Sequence, residues 1–222
     1  MKITKYISLL IIIGGIIAGS AAGFWLSGYG KSHLQTVRSE PLKKLSSAAV
    51  GAEPAHVKGS ESATVTLEEF VDFECPPCAR LHSEIEKIKE EYGERVRFVF
   101  RHYPLESHKH AAKAAAAAEA AGMQGKFWEM HNRLFERQDE WSEAENAEQL
   151  FVDYARSLGL DTDRFRHDTN SEPVNNRITA DRRRGESVDI DATPSLFING
   201  TEVSPEAMTA EGIRTTINAA LK

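Results

Sequence analysis

Between Thr64 and Tyr92 the hydrophobic period changes once, and the chain's two cysteines stand at the change. Thr64–Phe73 alternates, with Val65, Leu67, Glu69, Val71 and Phe73 on one face of a strand. Cys78, Leu81, Ile85, Ile88 and Tyr92 then follow at helical spacing, and Gly93 ends the run. A second alternating stretch, Arg95–Tyr103, is closed by Pro104. A strand, a helix and a second strand in that order form a β-α-β unit, which requires a sheet with a parallel pair. Cys75-Pro76-Pro77-Cys78 therefore lies where a strand ends and a helix begins.

The rest of the chain extends this frame. Ser107–Ala121 is alanine-rich and helical. Further helices are marked by Phe127, Met130, His131 and Leu134, by Leu150, Phe151, Tyr154 and Leu158, by a short segment capped by Asp161, and by Val174–Arg184. Ser195–Val203 reads as two short strands around Asn199-Gly200, the dipeptide preferred in a type I′ hairpin turn. Ser204-Pro205 opens a helical turn, and Ile213, Ile217 and Leu221 stripe a final helix. The expected fold is α/β, with β-α-β and β-β-α halves in one domain over 63–222 and a helical insertion over about 105–186. With 41% hydrophobic residues the chain has material for such a core, and its net charge of −6 carries no basic footprint for nucleic acid.

Residues 1–28 read differently. Lys2 and Lys5 precede an apolar run over 7–26 that is interrupted only by small residues. Twenty helical residues at about 1.5 Å each span the roughly 30 Å of a bilayer's hydrocarbon core. The segment reads as an N-terminal apolar helix, a signal anchor in preference to a cleaved signal peptide, with the remainder outside the cytoplasm. Residues 29–62, rich in Ser, Ala, Gly and Lys, read as a flexible linker. Export places both cysteines in an oxidising compartment, the periplasm or cell surface.

At a helix N-terminus, free N–H groups and the helix dipole favour a thiolate at Cys75, while Cys78 falls one turn inside on the apolar stripe. An exposed Cys75 would form the mixed disulfide with a client and a shielded Cys78 would complete the exchange. Pro76 and Pro77 are tolerated in the first turn of a helix. Two other readings compete for the motif: a structural disulfide, whose short loop restrains the unfolded chain little, and zinc held by Cys75, Cys78 and His82 with His102, His108 or His110 as a fourth ligand. A third is client binding without catalysis. Glu69 reads either as a strand-edge carboxylate in water or as a partly buried acid that moves protons for Cys78. Asp72 and Glu74 would oppose a thiolate at Cys75. Thr193-Pro194 begins a strand and would pair with an extended client if its bond were cis; on the residues alone a trans proline is the simpler reading. His108, His110 and the run Arg182-Arg183-Arg184 read as solvated, and Phe127, Trp128, Met130 and Leu134 as core.

Taken together, VTLEEFVDFECPPC (65–78), FVFRHYPLESHKHAAKAAAAAEAA (98–121), GKFWEMHNRLF (125–135) and ATPSLFING (192–200) resemble the DsbA-type thiol–disulfide oxidoreductases of the thioredoxin superfamily. The resemblance spans about residues 56–222. It implies a thioredoxin-like fold, a nucleophilic Cys75, a resolving Cys78, Glu69 as buried acid, and a cis Thr193–Pro194 bond facing the cysteines. Pro76, Pro77, Thr193 and Pro194 would then meet the substrate. It further implies oxidation of cysteines in exported proteins without a cofactor beyond the Cys75–Cys78 disulfide, and a membrane redox partner that recycles it. Pro76-Pro77 departs from the Pro-His of the best-known oxidases, so a reductase or isomerase of the same fold is the alternative, and a non-catalytic chaperone the alternative from another class. No separate dimerisation domain is visible, which argues against the dimeric isomerase type.

Overall fold

A computed structural model describes residues 41–222. The expected signal anchor over 1–28, with its membrane segment 7–26, lies outside the described residues, as does 29–40. Among the described residues no helix is long and apolar enough to cross a membrane.

Five strands form one sheet: β1 (His56–Lys58), β2 (Val65–Val71), β3 (Val96–His102), β4 (Ser195–Ile198) and β5 (Thr201–Glu202), in the order β1-β3-β2-β4-β5. β2 and β3 are parallel, in register from Val65 opposite Val96 to Val71 opposite His102, and the remaining pairs are antiparallel. The crossover between the parallel strands is α1 (Pro76–Tyr92), with both prolines in its first turn and Gly93, at φ 49°, ending it. Asn199 and Gly200 both have positive φ, 47° and 75°, as a type I′ turn requires, and so join β4 to β5.

Between β3 and β4 run α2 (Ala111–Gly122), α3 (Phe127–Glu136), α4 (Gln138–Trp141), α5 (Ala147–Ser157), α6 (Thr162–Asp168) and α7 (Glu172–Glu186); α8 (Ala210–Ala220) closes the domain. One side of the sheet buries Val65, Leu67 and Phe98 against Ile85 and Ile88 of α1 and Ile213 and Ile217 of α8. On the other, Phe70 and Phe197 pack with Tyr103, Val188 and Ile190. The insertion packs against the end of the sheet that carries the cysteines, with Phe73, Phe100 and both cysteines in the same apolar cluster as Ala117, Met130, Leu134 and Trp141. The alanines of α2 let neighbouring helices approach closely, and Gly185 of α7 does the same, since a Cβ there would lie 2.5 Å from the Tyr103 ring.

Three expectations are corrected. Residues 41–62 are not a flexible tether. Leu45 and Ala52 are buried, the Leu45 N–H donates to the Gly200 carbonyl at 2.8 Å, and 56–58 pair with β3 as an edge strand. Three residues with one apolar side chain give too little alternation to be read as a strand. The arginine run is not uniformly solvated either, because Arg184 lies on Glu68 at 2.7 and 3.0 Å. His110 is buried, its Nε2 2.9 Å from the Ala144 carbonyl, because α2 starts at Ala111 rather than at Ser107.

Candidate active site

The short loop after β2 and the first turn of α1 fix the cysteines. Cys75 is the N-cap of α1; its carbonyl accepts the N–H groups of Cys78 and Ala79 at 3.0 and 3.2 Å, which starts the helix. Its own N–H donates to the Asp72 carbonyl at 3.2 Å. Both thiols are free. The Cys75 thiol points at Thr193, whose carbonyl oxygen lies 3.3 Å from Sγ, and the Thr193–Pro194 bond is cis. β4 thus delivers Thr193 to the tip of α1, although 118 residues separate Thr193 from Cys75.

The two sulfurs are electrostatically unlike. Hydrogen bonding from the Cys78 thiol and the Cys78 N–H pulls Cys75 down to about 6 against its burial and the charge of Asp72. Burial first, and then the neighbouring Cys75 sulfur, push Cys78 far above the ordinary thiol range. One sulfur is therefore a thiolate near neutral pH and the other a proton donor to it, the division that thiol–disulfide exchange needs.

The expectation of an exposed Cys75 is corrected in degree. Cys75 retains 5% of its surface in solvent and Cys78 retains 1%. The insertion is the cause: Gln138 of α4 donates to the carbonyls of Phe73 and Cys75 at 2.6 and 3.1 Å and draws the helical layer over the loop. Pro76 and Pro77 remain exposed and Pro194 half-buried. Pro77 and Pro194 line a groove with Leu81, Met208, Arg80 and Glu84.

Glu69 is buried on the α1 side of the sheet, and its partner is Lys89 of α1 at 3.3 Å rather than either cysteine. The strand-edge reading is thereby corrected. Burial raises its carboxyl above the usual range while Lys89 opposes the shift. The zinc set is not gathered. His82 stacks on Phe135 with ring centroids 4.7 Å apart, and among the described residues the metal-capable cluster is His56, His102 and Glu119. There a cation is already supplied by Arg177, which donates to Glu119 at 2.7 Å and lies 3.2 Å from His56 Nε2.

Sequence reasoning passed over Gln138 and placed His108 in solvent. The structure sets His108 Nδ1 2.7 Å from the buried Asp72. For His108 the sequence signal was present in the row of polar residues that opens the insertion, but nothing local shows that it, or Gln138 further on, reaches back to the cysteine loop.

Comparison with known proteins agrees with this geometry. The oxidised BdbD of Bacillus subtilis superposes with a TM-score of 0.66 at 27% identity, covering 78% of this chain and 98% of that one. A thioredoxin-like oxidoreductase from Silicibacter pomeroyi gives 0.63 at 25% identity, over 75% and 94% of the two chains. Among curated sequences, the Na(+)/H(+) antiporter NhaA 1 of Mycolicibacterium vanbaalenii is 42% identical over 150 residues, 65% of this chain and 23% of that protein. Its namesake in Mycolicibacterium gilvum is 37% identical over 195 residues, 84% of this chain and 30% of that protein. The chain thus spans less than a third of the length of these curated relatives. A thioredoxin family profile matches residues 52–219. With its cysteines at the head of α1, its cis Thr193–Pro194 and a profile match over most of its length, the chain belongs to the thioredoxin family.

Proposed function

We propose that the protein is a DsbA-type thiol–disulfide oxidoreductase that works outside the cytoplasm as an oxidant, introducing disulfides into exported proteins. The observation that carries this reading is the split between the two thiols, with Cys75 drawn down to about 6 while Cys78 is pushed up. A stabilised thiolate favours the reduced protein, and whatever favours the reduced form makes the disulfide a stronger oxidant. In the scheme, a client thiolate attacks Sγ of Cys75, the Cys75–Cys78 bond breaks, and Cys78 leaves and takes a proton. A second client thiolate attacks its own sulfur in the mixed disulfide and releases Cys75 as thiolate. The client loses two electrons and the protein gains them.

Pro76, Pro77, Thr193 and Pro194 form the rim over which the client lies, with the Pro77–Pro194 groove taking its side chains. Glu69, in company with Lys89, is the proton store for Cys78 in this scheme. The apolar segment 7–26, led by Lys2 and Lys5, supports a tether to the cytoplasmic membrane, where a membrane redox partner would reoxidise the dithiol.

Equilibration of the full chain in glutathione redox buffers tests the direction. The expected midpoint is more oxidising than about −200 mV, and a value near the roughly −270 mV of thioredoxin would mark a reductase instead.

A further inference from the structure

Asp72 is a carboxylate whose charge bears on the reacting sulfur, and its surroundings have no part in the exchange scheme. Its side chain is fully buried. Oδ1 accepts the Glu74 N–H at 2.8 Å, and Oδ2 accepts the Leu105 N–H at 2.9 Å and faces His108 Nδ1 at 2.7 Å. Asp72 also touches the cysteine loop directly through the Cys75 N–H. A buried carboxylate at this place works against the reaction, since its charge opposes a thiolate on Cys75. Of the charged side chains in the adjoining segments, Glu74 accepts the His110 N–H at 2.5 Å and Glu106 accepts from Arg182 at 2.7 Å. The cation-forming group placed on Asp72 is His108, whose side chain is 24% exposed. An ionised carboxylate only accepts, so Nδ1 carries a proton, and the ring gains its charge when Nε2 takes a second.

We propose that His108 is a positioning residue for exchange at Cys75: its imidazolium, seated on Asp72, neutralises the buried carboxylate so that the thiolate can form beside it. The assignment rests on the oxidoreductase reading and adds to it a residue of the insertion, which lies 36 positions from its aspartate. It gives the 105–110 segment a second task besides packing, because the same short stretch fixes Asp72 through Leu105 and supplies its counter-charge through His108.

The test is the pH dependence of Cys75 alkylation in the full chain, with peptide mapping, together with the dithiol–disulfide equilibrium against glutathione. His108→Asn keeps a donor close to the Nδ1 position but cannot carry charge. It is expected to raise the alkylation midpoint by about 0.5–1 pH unit and to shift the equilibrium about three- to fivefold toward the disulfide at pH 7. His108→Lys, which retains a cation, is expected to stay near wild type. Asp72→Asn is expected to lower the midpoint and to make His108→Asn silent in its background. An unchanged midpoint in His108→Asn would overturn the assignment. So would equal shifts in His108→Asn and His108→Lys, which would reduce the residue to loop packing, a conclusion that does not depend on Asp72→Asn folding. The titration reads charge coupling whether or not the protein turns over a client. Loss of exchange in the wild type would therefore count against the oxidoreductase reading and leave the coupling to be judged separately.

Discussion

Cys75→Ser is expected to lower exchange with a dithiol peptide by at least about 10³-fold, because a serine hydroxyl is neither ionised near neutral pH nor able to form the mixed disulfide. The substitution is nearly isosteric, and the site keeps its Thr193 and Gln138 contacts, so the fold is expected to persist. Cys78→Ser behaves differently: Cys75 still reacts, and the mixed disulfide with the client accumulates because the intramolecular attack that would release it is gone. The pair also separates catalysis from simple client binding. Suppression of client aggregation should survive in Cys75→Ser if the groove beside Pro77 and Pro194 holds extended chain, whereas exchange should not. Exchange that survives the loss of Cys75 would end the enzymatic assignment.

Glu119→Ala is expected to give the largest loss of stability. Glu119 is 2% exposed and serves three partners: His56 Nε2 and His102 Nε2, each at 2.9 Å, and Arg177 Nε at 2.7 Å. Its removal leaves two imidazoles without their carboxylate partner and the Arg177 guanidinium without its counter-charge, a loss of about 3–5 kcal/mol. For a domain of this size that corresponds to a fall in Tm of about 8–15 °C. The pH dependence has a definite sign. Burial pushes the Glu119 carboxyl up, but hydrogen bonds from His102 and His56 outweigh it and hold the group well below the usual carboxylate range. A depressed carboxyl contributes stability above its unfolded value and loses it as pH falls. The wild-type advantage over Glu119→Ala should therefore be full at neutral pH and shrink on acidification below about pH 4. Thermal unfolding of both proteins across that range checks the sign.

The parts of the molecule that could be read from sequence are those whose physics is local. The change of period at Cys75, the positive-φ pair Asn199-Gly200 and the stripes of α1 and α8 each depend on neighbours within a few residues. So do the strand faces, and Glu69 does share its face with Val65 and Leu67, because alternation needs no knowledge of the rest of the fold. What α1 places against that face was not legible: Lys89 sits among several charged residues of one helix, and only the docked sheet shows which of them turns inward. The same holds for Glu119. One carboxylate in an alanine tract hints at a buried ion, yet its partners His56, His102 and Arg177 come from three other segments. Gln138 and His108 reach the cysteine loop from the insertion, and β1 is defined by pairing with β3 rather than by its own three residues.

Alkylation of the reduced protein across pH 4–10, with mass-spectrometric identification of the modified cysteine, bears most directly on the claim that the two sulfurs are unlike. The structure predicts that Cys75 is modified first with a midpoint at about 6, and that Cys78 stays unreacted while the fold is intact. Modification of Cys78 ahead of Cys75, or a Cys75 midpoint at the roughly 8.5 of an ordinary thiol, would contradict it.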